Sequence, residues 1–212
     1  MKRIFITFII LFISTALPAM DVSINRSIRV KDGAKKGHGV MTINGNIKIG
    51  ENCKVTGTCR TVNGNINVGI QSTVKKLQTV NGNITINEDT KIHSSIQSVN
   101  GRVSCASDVY VRGNIQTVNG RIKVDKTRVK RDISTHNGDI TLDNGSVVER
   151  DIIIKHSNRE KKRKNPLNIT LSGDSIVEGD IIVRDRKLEV IVYIEDGSKV
   201  MGEIKNARVI KN

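Results

Sequence analysis

Few residues in this 212-residue chain have side chains suited to chemistry: three cysteines, four histidines and two dense runs of Lys and Arg. Cys53 and Cys59 are six residues apart with no second close pair, a poor metal signature. Two readings stand for them, a Cys53–Cys59 disulfide stapling an early segment or two buried thiols. Cys105 is expected to be a buried free thiol. Lys155, Arg159, Lys161, Lys162, Arg163 and Lys164 face only Glu160, and a second run carries Lys126, Arg128, Lys130 and Arg131. Cations packed this densely attract polyanions. No Gly-x-Ser-x-Gly is present, and Gly33-Ala34-Lys35-Lys36-Gly37-His38-Gly39 lacks the order of a phosphate-binding loop. His38, His93, His136 and His156 sit at different phases of the chain and are not expected to cluster. Asp139, Thr141 and Asp143 alternate along one strand as solvated surface. These residues imply no enzyme, no metal and no cofactor.

The elements that would position these groups begin after a leader. Met1-Lys2-Arg3 is basic, Ile4 to Ile13 is apolar apart from Thr7, and Ser14 to Ala19 is mostly small. This is the pattern of a secretory signal peptide, residues 1–19, and the apolar run is shorter than the ~20 residues of a spanning helix. A mature chain from residue 20 is expected to be exported, with no transmembrane segment. All three Phe lie within the leader and there is no Trp. Without Lys2 and Arg3 the mature chain carries 33 basic and 21 acidic residues.

A repeat decides the architecture. Asn-Gly recurs at 44, 63, 81, 100, 119 and 137, at intervals of 18 or 19, in contexts such as Thr61-Val62-Asn63-Gly64-Asn65-Ile66. Between them runs Val-x-x-x-Ile, as in Val111/Ile115, Val129/Ile133 and Val148/Ile152; its later spacings are 29 to Val177 and 23 to Val200. Alternating Val and Ile between Gly and Asn corners predict short strands, and no helical stripe is long enough to compete. The expected fold is all-β, a single-stranded three-sided β-solenoid of roughly ten coils, one domain over 20–212 with a basic insertion loop at about 155–166. Narrow coils filled by Val and Ile have no room for rings.

The same pattern predicts directions. The residue before Asn-Gly, the Ile two after the Gly, the apolar residue two further on and the Val-x-x-x-Ile pair should point inward. His136 then replaces an inward Val, Cys105 takes the place of Ile86, and Cys59 that of Ile96. The Gly should supply a left-handed corner. Thr42, Thr61, Thr79, Ser98, Thr117 and Thr135 should form an outward hydroxyl ladder, and Gln78, Gln97 and Gln116 an outward amide ladder.

The Thr-Val-Asn-Gly-Asn-Ile repeats resemble the exported β-strand-repeat proteins of Gram-negative bacteria that are labelled adhesins and have no known function. Val111-Arg112-Gly113-Asn114-Ile115 and Val177-Glu178-Gly179-Asp180-Ile181 are similar to the repeats of bactofilins, the polymer-forming β-helix proteins of the bacterial cytoskeleton. The resemblance covers nearly the whole mature chain, carries no catalytic motif, and implies a right-handed β-helix with a structural or surface role. The leader departs from the cytosolic bactofilins.

The expected function is a non-catalytic, periplasmic or secreted module. Its partners would be an anionic glycan, a lipid headgroup or another envelope component, held by the two basic runs. Self-assembly into a filament or scaffold is the alternative, with a hexapeptide-type acyltransferase or a polysaccharide-active enzyme as remote rivals. With no aromatic residues among the basic ones, specific nucleic-acid recognition is not expected.

Overall fold

β-Branched residues fit a pleated, half-buried surface, and in this chain they recur along strands of two to ten residues between tight corners. The computed structural model describes residues 20–156 and 165–211. The leader and the insertion residues Arg159, Lys161, Lys162, Arg163 and Lys164 lie outside the described residues. What is described is all-β, a β-solenoid of about ten coils whose strands stack in parallel. One coil shows the plan: Ile84–Ile86 forms a first face, Lys91–Ile92 a second and Ile96–Ser98 a third, and Val103–Cys105 returns to the first. The first faces make a sheet of ten strands, and the second and third faces share one of seventeen. The sharing arises because Lys54–Asn63 and Thr73–Asn81 run through the intervening corner without a break.

Register follows the repeat. Ile47, Ile66, Ile84, Val103, Ile122 and Ile140 are successive partners, followed by Ile169 and Val192. The two lengthened coils therefore keep their register, and their extra residues enter at one place. They follow the third-face strands Ile152–Ile154 and Ile181–Val183 and precede Leu167–Leu171 and Val190–Ile194. Inward columns of Val, Ile and Leu form a continuous core. Each such side chain, once fully buried, contributes about 1.5–3 kcal/mol.

The corners explain the polar consensus. Between the first and second faces the chain turns through left-handed residues that are mostly not Gly, among them Asn52, Gln71, Asp89, Asp108 and Lys126. Between the second and third faces, side-chain oxygens accept from the backbone one coil later. Asp132 N–H donates to Asn114 Oδ1 at 3.2 Å, and Asp180 N–H to Asp151 Oδ1 at 2.9 Å. At the Asn-Gly corner, Asn63 Nδ2 donates to Asn44 Oδ1 and Asn81 Nδ2 to Asn63 Oδ1, at 2.8 and 2.9 Å. The second Asn of the motif acts on the backbone, with Asn65 N–H donating to Asn46 Oδ1 at 2.8 Å.

Three directional expectations are corrected. The glycines of the repeat's Asn-Gly, from Gly45 to Gly138, do not supply left-handed backbone; positive φ among glycines belongs to Gly33, Gly145, Gly173 and Gly197, and the Asn144-Gly145 pair stands at a different corner. They are required by close stacking, since a Cβ on Gly82 would lie 1.9 Å from the Gly64 carbonyl oxygen. The Thr column is buried, not outward. Thr42, Thr61 and Thr135 have no exposed surface: the Thr42 and Thr61 hydroxyls reach the corner carbonyl of the coil before, and Thr135 Oγ1 accepts from Thr117 Oγ1 and from Asn137 N–H. The residue before Asn-Gly consequently faces out, and Val80 and Val99 pack with Met41, Val62 and Val118 in a separate apolar stripe. His136 stands in that outer column. The outward Gln ladder is present, Gln97 Nε2 donating to Gln116 Oε1 at 3.2 Å.

Candidate anion-binding surface

On the second face, residues flanking the inward Val project outward. Val111, Val129 and Val148 are partners in successive coils, so Arg112, Lys130 and Glu149, each one residue later, form an outer column. Ile115, Ile133 and Ile152 are partners as well, which stacks Gly113, Arg131 and Arg150 at the adjoining corner. Coils repeat at about 4.8 Å. Gly113 forms part of the floor, with room for nothing larger: a Cβ there would meet the Ser94 backbone at 2.5 Å. The result is a cleft of about 570 Å³ lined by Arg112, Lys130, Arg131 and Arg150, with His93, Glu149 and Glu178 among its other walls.

Ion pairing divides these cations. Arg128 Nε donates to Glu149 Oε1 at 2.7 Å and Lys130 Nζ lies 3.4 Å from Glu149 Oε2. The hydrogen bond from Arg128, followed by that from Lys130, holds the Glu149 carboxyl below its ordinary range. Lys126 Nζ is 3.3 Å from Asp108. Arg112, Arg131 and Arg150 are exposed and form no ion pair among the described residues. Three of the four expected residues of this run, Lys126, Arg128 and Lys130, are thus tied to carboxylates, while Arg131 is open. Arg112 and Arg150 were not anticipated. Their signal was present in the sequence: in Val-x-x-x-Ile the residues after the Val must point outward once the Val points in.

Lys155 lies elsewhere, half-buried at the corner between the third and first faces. Burial, then repulsion from Arg184, pushes its pKa down. The second face is the one face that does not meet that corner, so the structure does not bring Lys155 together with Lys126, Arg128, Lys130 and Arg131.

All three cysteines are free and buried. The Cys53–Cys59 disulfide is not made in this structure, and each thiol has a separate place in the packing. Cys59 stacks between Val40 and Leu77 in an inward column. Cys53 occupies the small-residue position that follows the left-handed turn, where its Sγ donates to the Lys31 carbonyl at 3.0 Å. Cys105 lies between Ile86 and Val124, as its place in the repeat implies. Desolvation pushes the Cys59 and Cys105 thiols up to about 12.

The histidines are less scattered than their spacing suggests. His38 Nε2 is 3.1 Å from Asp21 and His93 borders the cleft, but His136 and His156 come within electrostatic reach of each other. Among the described residues no group of three or more His, Cys, Asp or Glu is placed to hold a metal ion, and no helix is long and apolar enough to cross a membrane. Compared with family models, curated proteins and solved structures, the chain matches none of them.

Proposed function

We propose that this chain is an exported, non-catalytic β-solenoid that binds anionic polymers of the cell envelope, an acidic glycan or an anionic lipid surface. The observation that carries this reading is the second-face cleft, where stacked coils hold Arg112, Arg131 and Arg150 without carboxylate partners among the described residues. Guanidinium groups match carboxylate, sulfate and phosphate with paired donors. A rigid scaffold that repeats every ~4.8 Å presents them in order along one axis, as a linear polyanion requires. The leader pattern supports export, and the run Arg159 to Lys164 adds a second set of cations in the sequence.

The test is retention on immobilised heparin and on phosphatidylglycerol vesicles at rising salt, because exposed charge contacts are screened. Arg112→Ala/Arg131→Ala/Arg150→Ala should elute at clearly lower salt than the parent. Unchanged elution of that variant would remove the cleft from the reading. Replacing 159–164 with Ser and Gly measures the share of the insertion separately.

Self-assembly is the second reading. It is favoured by a hollow of about 420 Å³ against the last described coil, where the core positions Val200 and Ile204 are only half-buried. The strands beside it carry Lys199, Lys205, Arg208 and Lys211, and cations on an edge strand oppose pairing with another edge. Sedimentation at rising protein concentration separates the two readings.

A further inference from the structure

The outer column that is apolar through Val62, Val80, Val99 and Val118 changes character in the next three coils. Thr135, Ile154 and Val183 are register partners. The residues that follow them, His136, Lys155 and Arg184, therefore stack in one column, about 4.8 Å apart. The Lys155 and Arg184 amides confirm the register by donating to the Thr135 and Ile154 carbonyls at 2.8 and 2.9 Å. His156 adds a fourth group that can carry positive charge.

Among the described residues, the corner segment between Val183 and Val190 carries two carboxylates, Asp185 and the exposed Glu189. Asp185 is almost fully buried, its Oδ1 lying 3.5 Å from His156 Nδ1 and accepting from Lys187 N–H at 3.1 Å. Asp132 attracts Lys155 from the neighbouring corner, and Asp139 pairs with Arg121 at 3.5 Å. Burial first, then repulsion from Lys155 and His156, lowers the pKa of His136, with the Thr117 backbone acting the other way.

A second, independent observation points to a ligand. Two buried polar atoms lack a hydrogen-bond partner among the described residues, and they are Ser134 Oγ and His136 Nδ1. Ser134 is 1% exposed and projects from the same outer side of the strand as His136, two residues before it. Folded proteins leave few such atoms unsatisfied, and here both fall beside a column of stacked cations.

We infer that Ser134, His136, Lys155 and Arg184 form a binding site for one oxyanion group, a sulfate, phosphate or carboxylate. Such a group accepts from the Ser134 hydroxyl, a protonated His136 ring, the Lys155 ammonium and the Arg184 guanidinium, relieving the mutual repulsion of the column. The site consists of described residues alone and is independent of the second-face cleft.

The experiment is histidine side-chain NMR on the whole protein across pH 5–8, with added sodium sulfate against sodium chloride at matched ionic strength. A parallel arm adds soluble oligogalacturonate, so that a free inorganic ion and a polymer-borne carboxylate are told apart. The His136 resonances should move saturably with sulfate or with oligogalacturonate, and the His136 pKa should rise; His38, occupied by Asp21, should not follow. Lys155→Ala/Arg184→Ala should weaken this response at least about tenfold. Arg131→Ala/Arg150→Ala should leave it intact, which separates failure of this site from failure of the polymer reading. If His136 responds no more to sulfate and oligogalacturonate than to matched chloride, or if its response survives in Lys155→Ala/Arg184→Ala, the site is excluded. Should that variant not fold, the comparison with chloride in the parent decides.

Discussion

Thr61 Oγ1 donates to the Gly45 carbonyl oxygen at 2.8 Å, across the gap between one coil and the coil before. Thr42 and Thr79 make the same bond, to Arg26 and Gly64, at 2.9 and 3.0 Å. The inner side of this strand is thus hydroxylic and its outer side apolar at Val62. Thr61→Val strands a buried carbonyl and should lose about 1–2 kcal/mol. Val62→Thr, on the half-buried outer side, should change stability by less than about 0.5 kcal/mol. Urea denaturation of the two variants checks the order; equal effects would contradict the assigned directions.

Gly82 and Gly145 differ in why they are glycine. A Cβ on Gly82 collides with the Gly64 carbonyl, whereas Gly145 faces open space with φ at 74°. Gly82→Ala should therefore remove more than about 3 kcal/mol or abolish cooperative unfolding. Gly145→Ala should cost only about 1 kcal/mol of backbone strain. Thermal unfolding followed by circular dichroism reads both.

Cys59 and Cys105, with pKa values pushed up to about 12 by burial, hold on the order of 10⁻⁴ of their population as thiolate at pH 8. Cys53 is buried as well. Iodoacetamide at pH 8 should leave the native protein unmodified and label three cysteines after guanidinium unfolding, as counted by intact mass. One label after unfolding, the count that a Cys53–Cys59 disulfide leaves, would not fit, since three free thiols are required.

His136 links stability to pH. Its pKa is lowered in the folded chain, so the unfolded chain binds more protons just below the ordinary value of about 6.5. Stability is then fully present above that pH and falls as pH drops from it toward the folded value. His136→Val restores the residue type of the column and should flatten this dependence. Melting temperatures between pH 5 and 8, in chloride buffers free of sulfate and phosphate, provide the comparison.

The coil length, the lengthened coils and most of the core were legible in the sequence because a strict 18- or 19-residue period leaves one register for Val and Ile. The faces of Thr61 and Val62 were not. Hydrophobicity alone turns Val inward, and what reverses it is a carbonyl belonging to another coil, which one copy of the repeat does not reveal. The corner glycines were misread for a related reason, since the neighbour that excludes their Cβ is 18 or 19 residues away. In the candidate cleft, Arg131 was found as part of a charge run. Arg112 and Arg150 stand singly, and only stacking makes them its neighbours. The carboxylates that occupy Lys126, Arg128 and Lys130 are likewise brought in by register, Glu149 serving two of them at once.

At two of the three corners the hydrogen bonds accepted by Asn and Asp side chains run one way, although backbone bonds there also run forward, as from Ile47 N–H to the Asn65 carbonyl: a donor in each coil meets a side-chain oxygen already displayed by the coil before it. Asn81 reaches back to Asn63, Asn83 N–H to Asn65, and Asp180 N–H to Asp151. A chain leaving the ribosome N-terminus first therefore lays down each coil's template before the coil that reads it. Growth of this kind is vectorial, and whole repeats gained by duplication would find their docking groups waiting, so that the reach of the rod is set by a count of coils.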